Sequence, residues 1–286
     1  MARLIIRVLG FAGAAVLLQA GTALAQAEDA RSADEIVSCV AANIPHGDEL
    51  RSITLVTRDR AGAERVTRAM VFGRRTSPTS RRTLVRFSAP PDLVSSGFLV
   101  LQEEDSTEIW IHSPDLGRRR VETGEAAGQS LFGTGLSYED LMQLMGLVET
   151  EAGKLRLGDD RIGDNPTYVL ESLPEPGTSA YARIVSSVDK ETCVPLEVKL
   201  YERIGSAPRK LIRADPEQIF EVRGVWIAHS ATLWDYRDEK RTVLHVESVM
   251  PYLELPDIAF SPGDLGKVEP RIDIEVKFDP IEVKLN

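Results

Sequence analysis

Val194-Pro195-Leu196-Glu197-Val198-Lys199-Leu200 switches between apolar and non-apolar character at nearly every step. A period of two puts Val194, Leu196, Val198 and Leu200 on one face of a β-strand, with Pro195, Glu197 and Lys199 on the other. One dry face and one wet face is the pattern of an antiparallel sheet, not of a parallel sheet covered on both sides. Further strands are expected on either side of it. Toward the C-terminus they fall at 210–213, 218–222, 225–236 and 242–249, with Arg223-Gly224 as a tight hairpin turn; toward the N-terminus they fall at 180–188, 167–173 and 155–157. Consecutive strands joined by short turns fit an up-and-down sheet that curls.

The first half repeats the pattern. Segments 52–58 and 64–74 flank a turn at Ala61-Gly62, and 83–87 alternates until Ala89-Pro90-Pro91-Asp92 interrupts it. Segments 97–101 and 107–112 form the next pair, Ser113-Pro114-Asp115 turns the chain, and 118–122 reads as a short edge strand. Two helices break the series. Residues 32–42 carry Ser32 as cap, Glu35 at the capping-box position and Ile36, Val37 and Val40 along one side, and Pro45 ends the run. After a Gly- and Ala-rich loop at 124–135, Ser137 caps a second helix with Asp140 three residues on, an apolar side of Leu141, Met142, Leu144 and Met145, and Gly146 as a stop. The tail alternates again at Ile272, Ile274, Val276 and Phe278, which suits an added edge strand or a loose extension. No internal repeat is visible.

Residues 1–25 read as a secretory signal peptide. Arg3 and Arg7 supply the positive start, the apolar run 8–18 is too short to span a bilayer, and Ala23-Leu24-Ala25 offers small residues for cleavage before Gln26. The mature chain is thus expected in the periplasm, soluble after cleavage. The whole sequence carries 34 Lys+Arg against 44 Asp+Glu; losing Arg3 and Arg7 takes the net charge from −10 to −12. Such an acidic surface repels nucleic acid and argues against it as a partner. Cys39 and Cys193 are the two cysteines, and in an exported protein an even count suggests a disulfide; two separate buried thiols are the other reading.

The chemistry-bearing motifs are missing. His46, His112, His229 and His245 have no second ligand at metal spacing on one helix, and there is no G-x-S-x-G elbow or S-x-x-K. Gly133-Thr134-Gly135-Leu136-Ser137 before a helix resembles a phosphate cradle superficially. It lacks the Lys-Ser/Thr pair, and Glu139 and Asp140 occupy the helix start where an anion would sit. No enzyme activity, metal or cofactor is expected. Arg74-Arg75, Arg81-Arg82 and Arg118-Arg119-Arg120 are basic clusters that suit blunted sheet edges or docking to an acidic partner. Trp226, Trp234 and Tyr236 share a parity within 225–236, beside small residues.

Several runs together are similar to the outer-membrane lipoprotein-sorting protein family, in a poorly characterised branch of the LolA/LolB-like superfamily. They are Phe87-Ser88-Ala89-Pro90-Pro91-Asp92-Leu93, Gly97-Phe98-Leu99, Ile109-Trp110-Ile111-His112-Ser113-Pro114 with Arg118-Arg119-Arg120, and Leu131 through Leu141. The segment Gly133-Thr134-Gly135-Leu136-Ser137-Tyr138-Glu139-Asp140-Leu141 is the most specific of them. Asp189 through Leu196 and Val222-Arg223-Gly224-Val225-Trp226 add to it, and the resemblance spans roughly 34–262. It implies a mainly β fold, an incomplete, unclosed antiparallel β-barrel with short helices as a lid over an apolar concave face. The domain is then 26–262, and 263–286 is a C-terminal extension.

The resemblance also implies a role. Better-known relatives carry lipoprotein acyl chains across the periplasm, and some members of this branch are encoded near RND-type exporters. One expectation is a carrier or binding protein for lipid or lipidated protein, in transport toward the outer membrane. Its ligand-lining residues would be Phe87, Phe98, Trp110, Met142, Met145, Trp226 and Trp234. The alternative is an envelope adaptor docking to an inner-membrane RND-type transporter through the arginine clusters. A hydrolase has no motif to support it.

Overall fold

The computed structural model describes residues 31–267 apart from 78, 105, 122–127, 129 and 148–153. The chain divides into a unit Met1–Arg31 and a unit Ser32–Asn286, and the fold below is that of the second. The signal-peptide reading and the alternating tail lie outside the described residues, as does much of the Gly- and Ala-rich loop.

One thirteen-stranded sheet dominates. Its first meander runs β1 (Gly47–Arg58), β2 (Glu64–Arg75), β3 (Arg81–Ala89), β4 (Gly97–Glu103), β5 (Ser106–Ser113) and β6 (Gly117–Val121). The second runs β7 (Lys154–Ile162), β8 (Asn165–Ser172), β9 (Arg183–Asp189), β10 (Pro195–Tyr201) and β11 (Lys210–Ala214). A separate two-stranded ribbon, β12 (Ile219–Val222) and β13 (Val225–Ala228), leads into β14 (Ser230–Asp235) and β15 (Lys240–Leu253). The long strand β15 pairs with β1, and β14 pairs with β11, which joins the two meanders into the order β6-β5-β4-β3-β2-β1-β15-β14-β11-β10-β9-β8-β7. Among the described residues every ladder is antiparallel, and β6 and β7 are its unjoined ends.

Among the described residues two capped α-helices lie on the inner face. Helix α1 (Ala33–Ala42) starts with Ser32 and Glu35 in a reciprocal capping box, and α2 (Tyr138–Leu144) does the same with Ser137 and Asp140. The sheet wraps around α2. The seven residues of α2 span about 10 Å, and Met145, Gly146 and Leu147 follow as a turn. Helix and turn together meet Arg81 of β3 at one end and share a cavity with Leu170 and Ser172 of β8 through Gln143. Those strands are eight steps apart in the sheet, about 38 Å if it were flat. Only a strongly curved sheet brings both to one short helix. Register shifts with the extra residue in β15 (Glu247 and Tyr252), β3 (Ser88), β7 (Leu157) and β10 (Leu196) fall along it, where an extra residue bends a strand.

The period-two pattern sorts the core. Inward residues such as Leu55, Val71, Val85, Phe87, Phe98, Val198, Leu200, Leu233 and Val246 form one buried cluster with Leu141, Met142, Leu144 and Met145 of α2 and its end. Outward, Leu50, Phe72, Leu84 and Leu99 form a second cluster, covered by Leu255, Phe260 and Leu265 of the segment after β15.

The expected single strand 225–236 is two strands. At His229 the backbone turns away: its N–H donates to the Gln218 carbonyl, and its own carbonyl accepts from Val246 N–H. The first half pairs with β12 in the ribbon and the second with β11 and β15 in the main sheet. The hairpin turn is as expected, with Arg223 and Gly224 both at positive φ, 52° and 86°.

Candidate functional site

Helix α2 is sunk into the inner face and held at both ends by buried polar groups. At its start, Asp140 is fully buried and accepts the Ser137 N–H (2.8 Å), the Tyr181 hydroxyl (2.5 Å) and the Lys210 ammonium (2.5 Å). Lys210 also faces Asp235 at 3.6 Å, and Asp235 pairs in turn with Arg209. Glu139 accepts from Ser179 Oγ (2.6 Å) and the Ala180 N–H (3.0 Å). Burial pushes the Glu139 carboxyl above the usual carboxylate range, and burial together with the Asp140 charge pushes the Tyr181 hydroxyl up. At the far end, Arg51 Nη1 donates to the Met145 carbonyl (3.3 Å) and Arg81 Nη1 to the Leu147 carbonyl (2.7 Å). Buried Glu49 neutralises both guanidinium groups, at 2.8 Å from Arg51 and 3.5 Å from Arg81. Gly73 makes room for it, since a Cβ there would lie 2.8 Å from Glu49 Cγ. The cap carbonyl of Met145 and the Leu147 carbonyl just beyond the helix are thus met by cations, as the negative end of the helix dipole favours.

Helix α1 is fixed by different means. A disulfide joins Cys39 to Cys193, Asn43 Nδ2 donates to the Thr192 carbonyl (2.8 Å), and Arg75 Nη1 donates to the Ala41 and Ile44 carbonyls (3.0 and 3.1 Å). Between the two helices a seam runs over the second meander. It contains two adjoining cavities of about 50 and 40 Å³ that share Val40, Gln143, Gly146, Pro195 and Val198. Leu170, Ile184 and Val188 extend the first; Met145, Ile212 and Trp226 extend the second. The lining is mostly apolar, and the space is well below the about 300–1,000 Å³ of a typical ligand pocket.

The expected lining residues divide. Phe87, Phe98, Met142 and Met145 share the inner cluster, where Phe132 packs edge-on against Phe87 at 5.3 Å. Trp226 borders the second cavity beside Met145, and its backbone N–H donates to Asn43 Oδ1 (3.0 Å). Trp110 and Trp234 are elsewhere. Trp110 pairs across from Leu99 and packs in the outer cluster. Trp234 is the strand neighbour of inward Leu233, so it points outward, with the Arg241 guanidinium 5.9 Å from its ring. The break at His229 is what removes Trp226 from the face of Trp234.

The remaining candidates have local roles. His112 Nδ1 lies 2.9 Å from the Ser95 carbonyl, and the His229 and His245 rings are 6.3 Å apart. Among the described residues no three His, Cys, Asp or Glu side chains gather as a metal site. Thr134 and Gly135 form a turn stitched by Thr134 Oγ1 to the Leu131 carbonyl (2.7 Å) and Gly135 N–H to Ser130 Oγ (2.9 Å). Sequence reading missed the clamp itself: Glu49, Arg51, Lys210, Tyr181. The available signal was a charged residue at inward parity, such as Arg51 between Glu49 and Ile53.

Comparisons with known proteins agree with this geometry. A family model described as "Uncharacterized protein"-like matches residues 79–267. No curated protein matches the chain. Among solved structures, a putative outer membrane lipoprotein-sorting protein domain from Vibrio parahaemolyticus is 20% identical, with 82% of this chain and 97% of that one covered at a TM-score of 0.70. A DUF1329 family protein from Desulfovibrio piger is 20% identical over 81% and 96%, at 0.72. A LolA superfamily protein from Nitrosomonas europaea is 17% identical over 81% and 98%, at 0.59. The matched segment runs from the β2–β3 turn to the covering segment after β15. The chain therefore belongs to that uncharacterized-protein-like family, and its fold is the unclosed, strongly curved antiparallel sheet of the lipoprotein-sorting, LolA-like proteins.

Proposed function

We propose that the protein is a periplasmic carrier or binding protein for a lipid or a lipidated protein, with the acyl chain entering the seam between α1 and α2. The observation that carries the reading is the seam itself: two adjoining, mostly apolar cavities where both helices and the inner sheet face meet. The names of the structural relatives, a lipoprotein-sorting domain and a LolA superfamily protein, support the same class of cargo. Each buried CH₂ would contribute about 0.8 kcal/mol. The cavities are too small for an acyl chain as they stand, so loading requires one wall to move. The disulfide fixes α1 covalently, whereas α2 is held by apolar packing, hydrogen bonds and ion pairs, which makes α2 the moving wall. Met142 and Met145 suit a surface that must repack around cargo.

Native mass spectrometry of the mature protein from its own periplasm, with lipid extraction, tests this reading. Transfer of a fluorescent fatty acid from vesicles is the second arm. About one acyl species per chain is expected, and Val198→Trp, which fills both cavities, should abolish it. No acyl species in either arm would overturn the carrier reading. The adaptor reading is favoured by one observation, the exposed Arg118 and Arg120 on the open edge strand β6. A pull-down of an RND-type transporter lost on charge reversal there would support it.

A further inference from the structure

We propose that a groove at the tip of the β14–β15 hairpin binds a phosphate monoester, with Arg58, Lys240 and Arg241 taking the phosphate and Trp234 and Tyr236 the organic part. The inference is independent of the carrier reading, because the groove shares no lining residue with the seam. At about 240 Å³ it is larger than either seam cavity. Strand register builds it. Trp234 of β14 lies opposite Arg241 of β15, and Arg241 lies opposite Arg58 of β1. Directly opposite residues share a face, so the row stands on the outer side with Trp234. Tyr236, 53% exposed, follows where the hairpin turns. Lys240 enters from the other side of the tip, opposite Asp235. Its stem lies against Gly135 of the loop before α2, where a Cβ would be 3.1 Å from the lysine Cδ.

The charges favour an anion. Side chains directly opposite each other on antiparallel strands have Cβ atoms about 5 Å apart, and like charges there repel. Arg58 and Arg241 are such a pair. Arg58 has Glu64 at 2.9 Å, but the two side chains are 63% and 45% exposed, and an ion pair in water is weak. Arg241 lies over the Trp234 ring at 5.9 Å, and among the described residues neither it nor Lys240 has a carboxylate partner. Of the three acids in the groove, Asp235 is buried and paired with Arg209, and Asp59 Oδ1 accepts the Ala63 N–H (2.9 Å). Glu239 faces Arg60 at 4.0 Å and is the acid left to compete. Two uncompensated cations beside a weakly held third match a phosphate monoester, which carries a charge of about −1.5 to −2 at neutral pH. A carboxylate supplies a single charge and fewer acceptor oxygens. Aromatic rings beside the cations suit a planar or apolar group attached to the phosphate.

Titration of the isotope-labelled mature protein with phenyl phosphate, read by NMR at the Trp234 indole N–H, tests the inference; Trp234→Phe identifies the signal. A saturable shift is expected, with inorganic phosphate about tenfold weaker because it lacks the ring. Arg241→Gln should weaken phenyl phosphate by about tenfold, and Glu239→Gln should tighten it by about threefold. Both positions are exposed, so neither variant disturbs the core. The absence of a saturable shift, an affinity unchanged in Arg241→Gln, or benzoate binding as tightly as phenyl phosphate would each overturn the proposal. Vesicles of phosphatidylcholine doped with phosphatidic acid separate two sources of the phosphate. Retention that Arg241→Gln abolishes supports a lipid headgroup; no retention, with phenyl phosphate still bound, supports a soluble ester.

Discussion

Arg51 has the clearest energetic role of any single residue. It is 2% exposed, carries a full charge, and touches both Glu49 and the end of α2. Removing one member of a buried ion pair costs about 3–5 kcal/mol, because the partner charge is left without compensation. Arg51→Met is expected toward the lower end of that range, since Arg81 still neutralises part of Glu49. Urea unfolding checks it, and Glu49→Gln added to Arg51→Met should recover part of the loss. A double variant no more stable than the single one would show that Glu49 is not the residue left stranded. Glu139 makes a pH prediction. Its carboxyl titrates above the ordinary range in the folded protein because it is buried. A raised folded value means that the folded state holds the proton more tightly than the unfolded chain. The contribution is therefore fully present below the unfolded carboxylate range and is lost as pH rises through the folded value. Relative to Glu139→Gln, the wild type should gain stability as pH falls from neutral into the acid range; parallel pH profiles would refute it.

The two helices differ in how they are attached, and that difference is testable. Cys39 and Cys193 close a loop of sequence separation 154, worth about 5 kcal/mol in the chain-entropy account. Cys39→Ser with Cys193→Ser should lower stability by that order in urea unfolding, and should free α1 while leaving the α2 clamp in place. Protection of α2 amides lost together with α1 would show the helices to be one unit. Both helices were legible from sequence because their start signals are local: Ser32 with Glu35, and Ser137 with Asp140, act within one turn. The alternation of β10 was legible for the same reason. The break at His229 was not, because it depends on hydrogen bonds to Gln218 and Val246, which no local pattern announces. The site was half legible. Phe87 and Phe98, which the resemblance implies as lining, lie in the inner cluster, but the parity that groups Trp234 with Trp226 runs through that break, and Trp110 has the parity of the outer cluster.

The whole sheet has apolar surface on both faces at the first meander, and this shapes the behaviour of the entire molecule. The inner face is covered by α2, and the outer pad of Leu50, Phe72, Leu84 and Leu99 is covered by the segment after β15. That segment is anchored by Arg74, which binds Asp48 and Asp257 and stacks on Phe260 at 5.0 Å, and by the Leu255 N–H to Asp48. Phe260, Leu255 and Leu265 are each about 3–5% exposed, so they are core residues although the segment has no strand of its own. Phe260→Ala is expected to cost about 3–5 kcal/mol, the usual range for a buried phenylalanine. If the segment is the cover of the pad, the loss should do more than lower stability. A weakened cover uncovers a contiguous apolar patch on an extended sheet face, and such patches drive association. Phe260→Ala should therefore sediment as a concentration-dependent mixture of monomer and larger species where the wild type does not. Phe87→Ala, equally buried on the inner face under α2, should lose comparable stability without that association. Identical sedimentation of the two variants would mean that the outer pad stays covered without Phe260, and that the strap is held by its arginine contacts alone.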